Sequence, residues 1–193
     1  MLLQQPMLQT IETLERHLMH VQESRWLIGG SCGLLLHNVE IQRIPRDLDL
    51  YVDQCDVASL HEALQTYSMD TPAHSETPIY SSILSHYDIL GNAVEVVGDF
   101  RVAAQHSLYQ VEAVYLWERH SRIVHVTDSC SVKIMPLAHE LLFNLLRDRP
   151  DRYEPIARVI RKQPAQHMPA LQDLLARNSW GHDFRKKLEL LFD

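Results

Sequence analysis

Trp26-Leu-Ile-Gly-Gly-Ser31 and Arg43-Ile-Pro-Arg-Asp47-Leu-Asp49-Leu-Tyr-Val52 are the two runs whose reading decides the fold. In the first, residues 26–28 read as a short buried strand stopped by Gly29-Gly30. Ser31 can cap a following helix that carries Leu34, Leu35 and Leu36. In the second, residues 47–52 alternate charged and apolar side chains, the period of a half-buried strand. On such a strand Asp47 and Asp49 point to one face while Leu48 and Leu50 enter the core.

Two adjacent carboxylates repel each other, and a divalent cation relieves the repulsion. Magnesium prefers hard oxygen ligands and keeps positions open for water and substrate phosphates. Paired ions can hold the attacking and leaving oxygens of a phosphoryl transfer in line. A plainer reading makes Asp47 and Asp49 guards of an edge strand. Gly29-Gly30-Ser31 at a strand-to-helix junction weighs against it, because backbone N–H groups there can receive a phosphate and glycine lets the backbone come close. The combination points to magnesium-dependent chemistry on a nucleoside triphosphate.

A third acid would complete such a site. Gly91-Asn92 reads as a two-residue hairpin turn between extended runs at 79–90 and 93–97. In the second run Glu95 lies between Val94 and Val96, so it faces away from their apolar side. From there it could bind the same metals or take the proton of an attacking hydroxyl. Asp88 and Asp99 compete for this role, but each sits where turn formation is the commoner use of aspartate. Arg43 and Arg46 could neutralise phosphate charge, or equally pair with Asp47 or Glu40.

Elsewhere, Ile11, Leu14, Leu18 and Val21 recur at helical spacing, predicting a first helix that ends near Ser24. Asp53 or Asp56 would cap a helix reaching about Tyr67, and residues 68–78, with Pro72 and Pro78, read as a loop. Further strands are expected at 110–116, 123–127 and 131–135. From Pro136, placed at N1, the pattern turns helical, near 136–147, 152–162, 168–177 and 181–192. The expected fold is α+β, with a core over residues 1–135 and a helical C-terminal part over residues 136–193.

With 193 residues the chain suits one well-buried core, and no apolar run is long enough to cross a bilayer. The start, Met1-Leu-Leu-Gln-Gln-Pro6, lacks the features of a secretory signal, so a cytoplasmic protein is expected. Cys32, Cys55 and Cys130 are odd in number and widely spaced, which predicts free thiols. The 12 histidines are scattered and show no zinc-ligand spacing. Net charge is −7, but residues 1–146 hold 8 Lys+Arg against 18 Asp+Glu, whereas residues 147–193 hold 10 against 7. The acidic body argues against general nucleic-acid binding, and the basic tail leaves room for phosphate contacts.

Taken together, Ile28, Gly29-Gly30-Ser31, Asp47-Leu48-Asp49 and Glu95 resemble the signature of the nucleotidyltransferase superfamily that shares the DNA polymerase β fold. The run from Arg43 to Asp49 is similar to the Arg-x-Ser/Thr-x-Asp-x-Asp form of bacterial AbiEii-type and antibiotic nucleotidyltransferase-like proteins, with Pro45 in place of the hydroxyl residue. The stretch from Val132 to Glu140, followed by Arg147-Asp-Arg-Pro-Asp151-Arg-Tyr-Glu154, resembles the strand, helix and charged motif that follow the core there. Asn144 and Pro150 stand where lysines are often found.

The resemblance implies a mixed β-sheet flanked by helices and transfer of a nucleoside monophosphate, with ATP the default donor and two Mg2+ on Asp47, Asp49 and Glu95. Gly29, Gly30 and Ser31, with Arg43 and Arg46, would bind the nucleotide. It leaves the hydroxyl acceptor open. A second reading is a nucleotidyltransferase-like binding or toxin–antitoxin partner protein whose catalysis is lost or secondary. A third, an RNA-directed transferase, would use Arg158, Arg161, Lys162 and Arg185-Lys186-Lys187, although no basic motif interleaved with aromatic residues supports base recognition. No membrane partner is expected.

Overall fold

The computed structural model describes residues 3–21 and 25–192. Helix α1 (Gln5–Leu18) leads to strand β1 (Leu27–Gly29), helix α2 (Gly30–Leu36), strand β2 (Asp47–Val52) and helix α3 (Gln54–Ala63). The α1 boundary expected near Ser24 falls outside the described residues; the helix itself ends at Leu18. A single 3-10 turn (Gln65–Tyr67) precedes strands β3 (Ala73–Glu76), β4 (Tyr80–Ile89), β5 (Asn92–Ala104) and β6 (Ser107–Gln110). Then come helix α4 (Ala113–Arg119), strands β7 (Arg122–His125) and β8 (Ser131–Ile134), and helices α5 (Leu137–Leu146), α6 (Pro150–Lys162), α7 (Pro164–Arg177) and α8 (His182–Glu189).

The strands form one mixed sheet in the order β3-β4-β5-β2-β1-β8-β7, with β6 added on β5. Strand β2 runs antiparallel to β1 and parallel to β5. The alternation of β2 sorts its side chains as the sequence predicts. Leu48, Leu50 and Val52 join Val94 and Val96 in a core closed by Ile11, Leu14 and Leu18 of α1 and Val57 and Leu60 of α3. On the opposite face Tyr51, Val97 and Phe100 pack with α5 and the helices after it. All ten residues of α5 are buried, so this helix forms part of the core.

Several expectations differ in the structure. Residues 68–78 contain strand β3, polar and largely exposed, paired antiparallel with β4 at the sheet edge. Its flanking prolines lie outside the paired residues, where a missing N–H costs nothing. The expected strand at 110–116 is instead the end of β6 followed by α4, whose first N–H groups, those of Ala113 and Val114, donate to the Asp53 carboxylate at 2.7 and 3.0 Å. Asp53 thus occupies the N-cap position of α3 but spends its side chain on α4. The hairpin turn is centred on Leu90 and Gly91, both at positive φ, rather than on Gly91-Asn92. Ser31 lies inside α2, whose N-cap is Gly29, and Pro136 is the N-cap of α5 rather than its first residue. Cys32, Cys55 and Cys130 are free thiols. No described helix is long and apolar enough to cross a membrane.

Candidate active site

The strand register builds the site. Gly29 of β1 is opposite Asp49 of β2, and Asp49 is opposite Glu95 of β5, so three adjacent strands place these residues in one row. Laterally paired residues share a face. Asp47, two residues before Asp49, projects to that same face. All three acids, with Gly30 and Ser31, line a cavity of about 410 Å³ between the sheet and the α5–α6 region. The competitors are occupied elsewhere. The Asp88 carboxylate accepts the Gly91 N–H at 2.8 Å in the hairpin turn, and Asp99 pairs with Arg101 at 3.0 Å.

Gly30 is the tightest point of the site. It has φ +58, a left-handed conformation that glycine adopts without penalty, and a Cβ there would overlap the Asp49 carboxylate. Its N–H donates to Glu140 Oε1 at 2.7 Å. Glu140 is 1% exposed, and Asn144 Nδ2, one turn along α5, donates to its backbone carbonyl at 2.7 Å. Burial pushes the Glu140 carboxyl up to about 8 against the pull of the Gly30 N–H, so at neutral pH it is mostly the neutral acid. Glu140 therefore ties the buried helix to the glycine turn, a role that neither composition nor spacing announces.

That tie predicts a graded pair of variants. Glu140→Gln keeps an oxygen for the Gly30 N–H and resembles the neutral acid, so it should cost less than about 1 kcal/mol. Glu140→Ala strands the Gly30 N–H and opens a cavity, and should cost about 2–3 kcal/mol. Thermal melting at pH 7 checks this; equal melting points for the two variants would remove the tie.

Burial and neighbouring charge act on two of the acids. Burial first, then the charges of Asp47 and Glu95, push Asp49 up to about 7, while Arg147 pulls the other way. Burial and Asp47 likewise raise Glu95, and His86, opposite it across the β4–β5 ladder, lowers it. Asp49 and Glu95, raised first by burial and then by neighbouring carboxylates, form with Asp47 a hard-oxygen donor set suited to Mg2+. Among the described residues no three His, Cys, Asp or Glu side chains already stand as a closed metal-ligand cluster. The fit rests on ligand chemistry and register.

Arg43 and Arg46 are exposed and do not line the cavity. Gly29 is in the row but gives the cavity no surface of its own. The arginines that reach the cavity are Arg147, Arg149 and Arg152, around the α5–α6 junction, together with Tyr80 and Ser82 of β4. The run from Arg147 to Glu154 is a charged motif in sequence, but spacing alone does not aim it at a strand a hundred residues earlier.

Among solved structures the chain resembles a putative nucleotidyltransferase from Thermotoga maritima, with 19% identity over 86% of this chain and 96% of that one and a TM-score of 0.66. It also resembles the solution structure of the antibiotic-resistance factor ANT(2'')-Ia, at 11% identity over 96% of this chain and 94% of the other, TM-score 0.53. A crystal structure of ANT(2'')-Ia with adenylyl-2''-tobramycin matches at 12% identity over 94% and 98%, TM-score 0.50. No family model and no curated protein matches the sequence. The chain shares the fold of these nucleotidyltransferase structures, an α+β mixed sheet flanked by helices.

Proposed function

We propose that the protein is a magnesium-dependent nucleotidyltransferase that moves a nucleoside monophosphate from a nucleoside triphosphate, ATP by default, to a hydroxyl of an acceptor. The observation that carries this reading is the row of Gly29, Asp49 and Glu95 across three strands, with Asp47, Gly30 and Ser31 on the same cavity. Asp47 and Asp49, with Glu95, would hold two Mg2+, which when bound supply Lewis-acid stabilisation of charge on the phosphoryl oxygens. Ser31 and the glycine turn would receive the phosphates. Glu95 accepts the proton of the attacking hydroxyl; the new bond forms between that oxygen and the α-phosphorus, and pyrophosphate departs with the bond to the α–β bridging oxygen. Residues 1–135 would then form the nucleotide-binding core and residues 136–193 the helical part that closes its cavity. A bacterial cytoplasm supplies both ATP and magnesium.

The reading predicts that nucleotide binding depends on the cation, since three acids otherwise repel a polyanion. Calorimetry with ATP should show at least about a tenfold weaker Kd in EDTA than in millimolar Mg2+, a difference of about 1.4 kcal/mol or more. Equal affinity in the two buffers would send the nucleotide to a different pocket and end the metal-bridged reading.

A further inference from the structure

We propose that strand β7 is the contact by which two copies of this chain pair, edge to edge and antiparallel, about a two-fold axis through Val124. The inference stands apart from the nucleotidyltransferase reading. β7 is the edge of the sheet opposite β3, it lies beyond β1 and β8 from the acid-bearing β2, and none of its residues lines the cavity of the acids.

The two edges are built differently. β3 reads Ala73-His-Ser-Glu76, carries no large apolar side chain and is bracketed by Pro72 and Pro78, which cannot donate to an added strand. β7 reads Arg122-Ile-Val-His125, with neither proline nor register shift to guard it, and among the described residues β8 alone pairs with it. Ile123 is 59% exposed and adjoins an apolar groove that includes Trp26, Trp117 and Met19, the last 62% exposed.

Hydrogen-bond accounting selects the occupant and its register. The Val126 N–H donates to the Cys130 carbonyl at 2.9 Å, and Val124↔Val132 and Arg122↔Ile134 continue that pairing along the hairpin. Bonded and unbonded pairs alternate in an antiparallel ladder, so Ile123 and His125 turn their N–H and C=O groups away from β8. With Val124 opposite its own copy, Ile123 stands opposite the partner's His125 and the reverse, and four bonds use every free group of both strands. A shift of one residue sets free groups against used ones. A shift of two brings in Ser121 or Thr127, whose N–H groups already donate to Leu116 and Cys130.

The side chains agree with this register. Val124 and Val126 pack on the core closed by α1, so the axis joins the apolar faces of the two sheets. Arg122 stands diagonal to the partner's Asp128, within reach of a long side chain. Both residues are exposed, and among the described residues neither is in an ion pair. The two-fold makes this match twice; a second copy supplies both acids by symmetry, which a foreign strand has no cause to do.

Sedimentation at about 100 µM should find a dimer. Ile123→Pro should make it a monomer, because the lost N–H points away from β8; at about 1 µM its melting point should lie within about 2 °C of the wild type. Ile123→Lys, which adds a charge at the edge and keeps the N–H, should also weaken pairing and is measured beside it. Arg122→Asp should weaken the dimer at least about tenfold, and Arg122→Asp/Asp128→Arg should restore it. For the register, Cys55, the exposed native thiol, is replaced by Ser. In that background Val124→Cys should cross-link two chains under mild oxidation, since opposite residues of an unbonded pair stand about 4.5 Å apart at Cα. Arg122→Cys, opposite Val126 in this register, should not. A wild type that stays monomeric at about 100 µM, or a dimer that both Ile123 variants leave intact, overturns the proposal. Cross-linking at 122 in preference to 124 overturns its register. Each of these results leaves magnesium-dependent ATP binding as it was.

Discussion

Asp49→Asn is expected to lower nucleotide transfer by at least about 1000-fold while the protein stays folded. Asn keeps the size of the side chain but removes a metal-ligand charge at the centre of the row. The measurement is transfer of labelled nucleotide to a panel of small hydroxyl compounds, proteins and tRNA. Labelling that the substitution leaves unchanged would refute the catalytic reading and favour a binding or toxin–antitoxin partner.

The same variant carries a stability signature with a definite sign. Asp49 has its folded pKa raised to about 7 from an ordinary 3.8. Relative to a group with no shift, it therefore stabilises the fold at low pH, and that contribution is lost as pH rises toward and through 7. Without Mg2+, Asp49→Asn should then melt about 3–6 °C above the wild type at pH 8, roughly 1–2 kcal/mol for a chain of this size, with the gap closing near pH 4. A gap that is constant with pH would mean that the charge of Asp49 is not what strains the site. Magnesium at pH 8 should reverse the order, because only the wild type keeps the full ligand set.

Gly30→Ala is the substitution with the second large effect. The alanine would be forced into a left-handed backbone conformation and its Cβ into the Asp49 carboxylate, so both local strain and a clash oppose it. A cost of about 2–4 kcal/mol, or a melting point lower by roughly 6–12 °C, is expected. Wherever the variant is still folded, Mg2+-dependent ATP binding should be lost, since relief of the clash requires Asp49 to move. A variant that melts within 2 °C of the wild type and binds ATP normally would show that the close approach of Gly30 to Asp49 has no bearing on the site.

These effects divide according to how far each interaction reaches along the chain. The β2 strand was legible because its alternation is local, and the same rule gave Glu95 its face from Val94 and Val96 alone. Where two local signals compete, the local pattern does not settle the element. Pro72 and Pro78 hid the edge strand between them, and the apolar run after Gln110 proved to be a helix because Asp53, sixty residues earlier, satisfies its first N–H groups. Arg43 and Arg46 precede the acids in sequence but do not line their cavity.

What the sequence determined by itself was the α+β class, the two-acid strand, the glycine turn and the face of the third acid, all set by periods of two or four residues and by the backbone freedom of glycine. The tertiary structure alone decided that Gly29, Asp49 and Glu95 stand in one row, that Glu140 grips Gly30 across 110 residues, and that Arg147, Arg149 and Arg152 line the cavity of the three acids. The reason is physical: strand order, register and the docking of a fully buried helix arise from burying apolar surface between segments far apart in the chain, and no local pattern records which of them will meet.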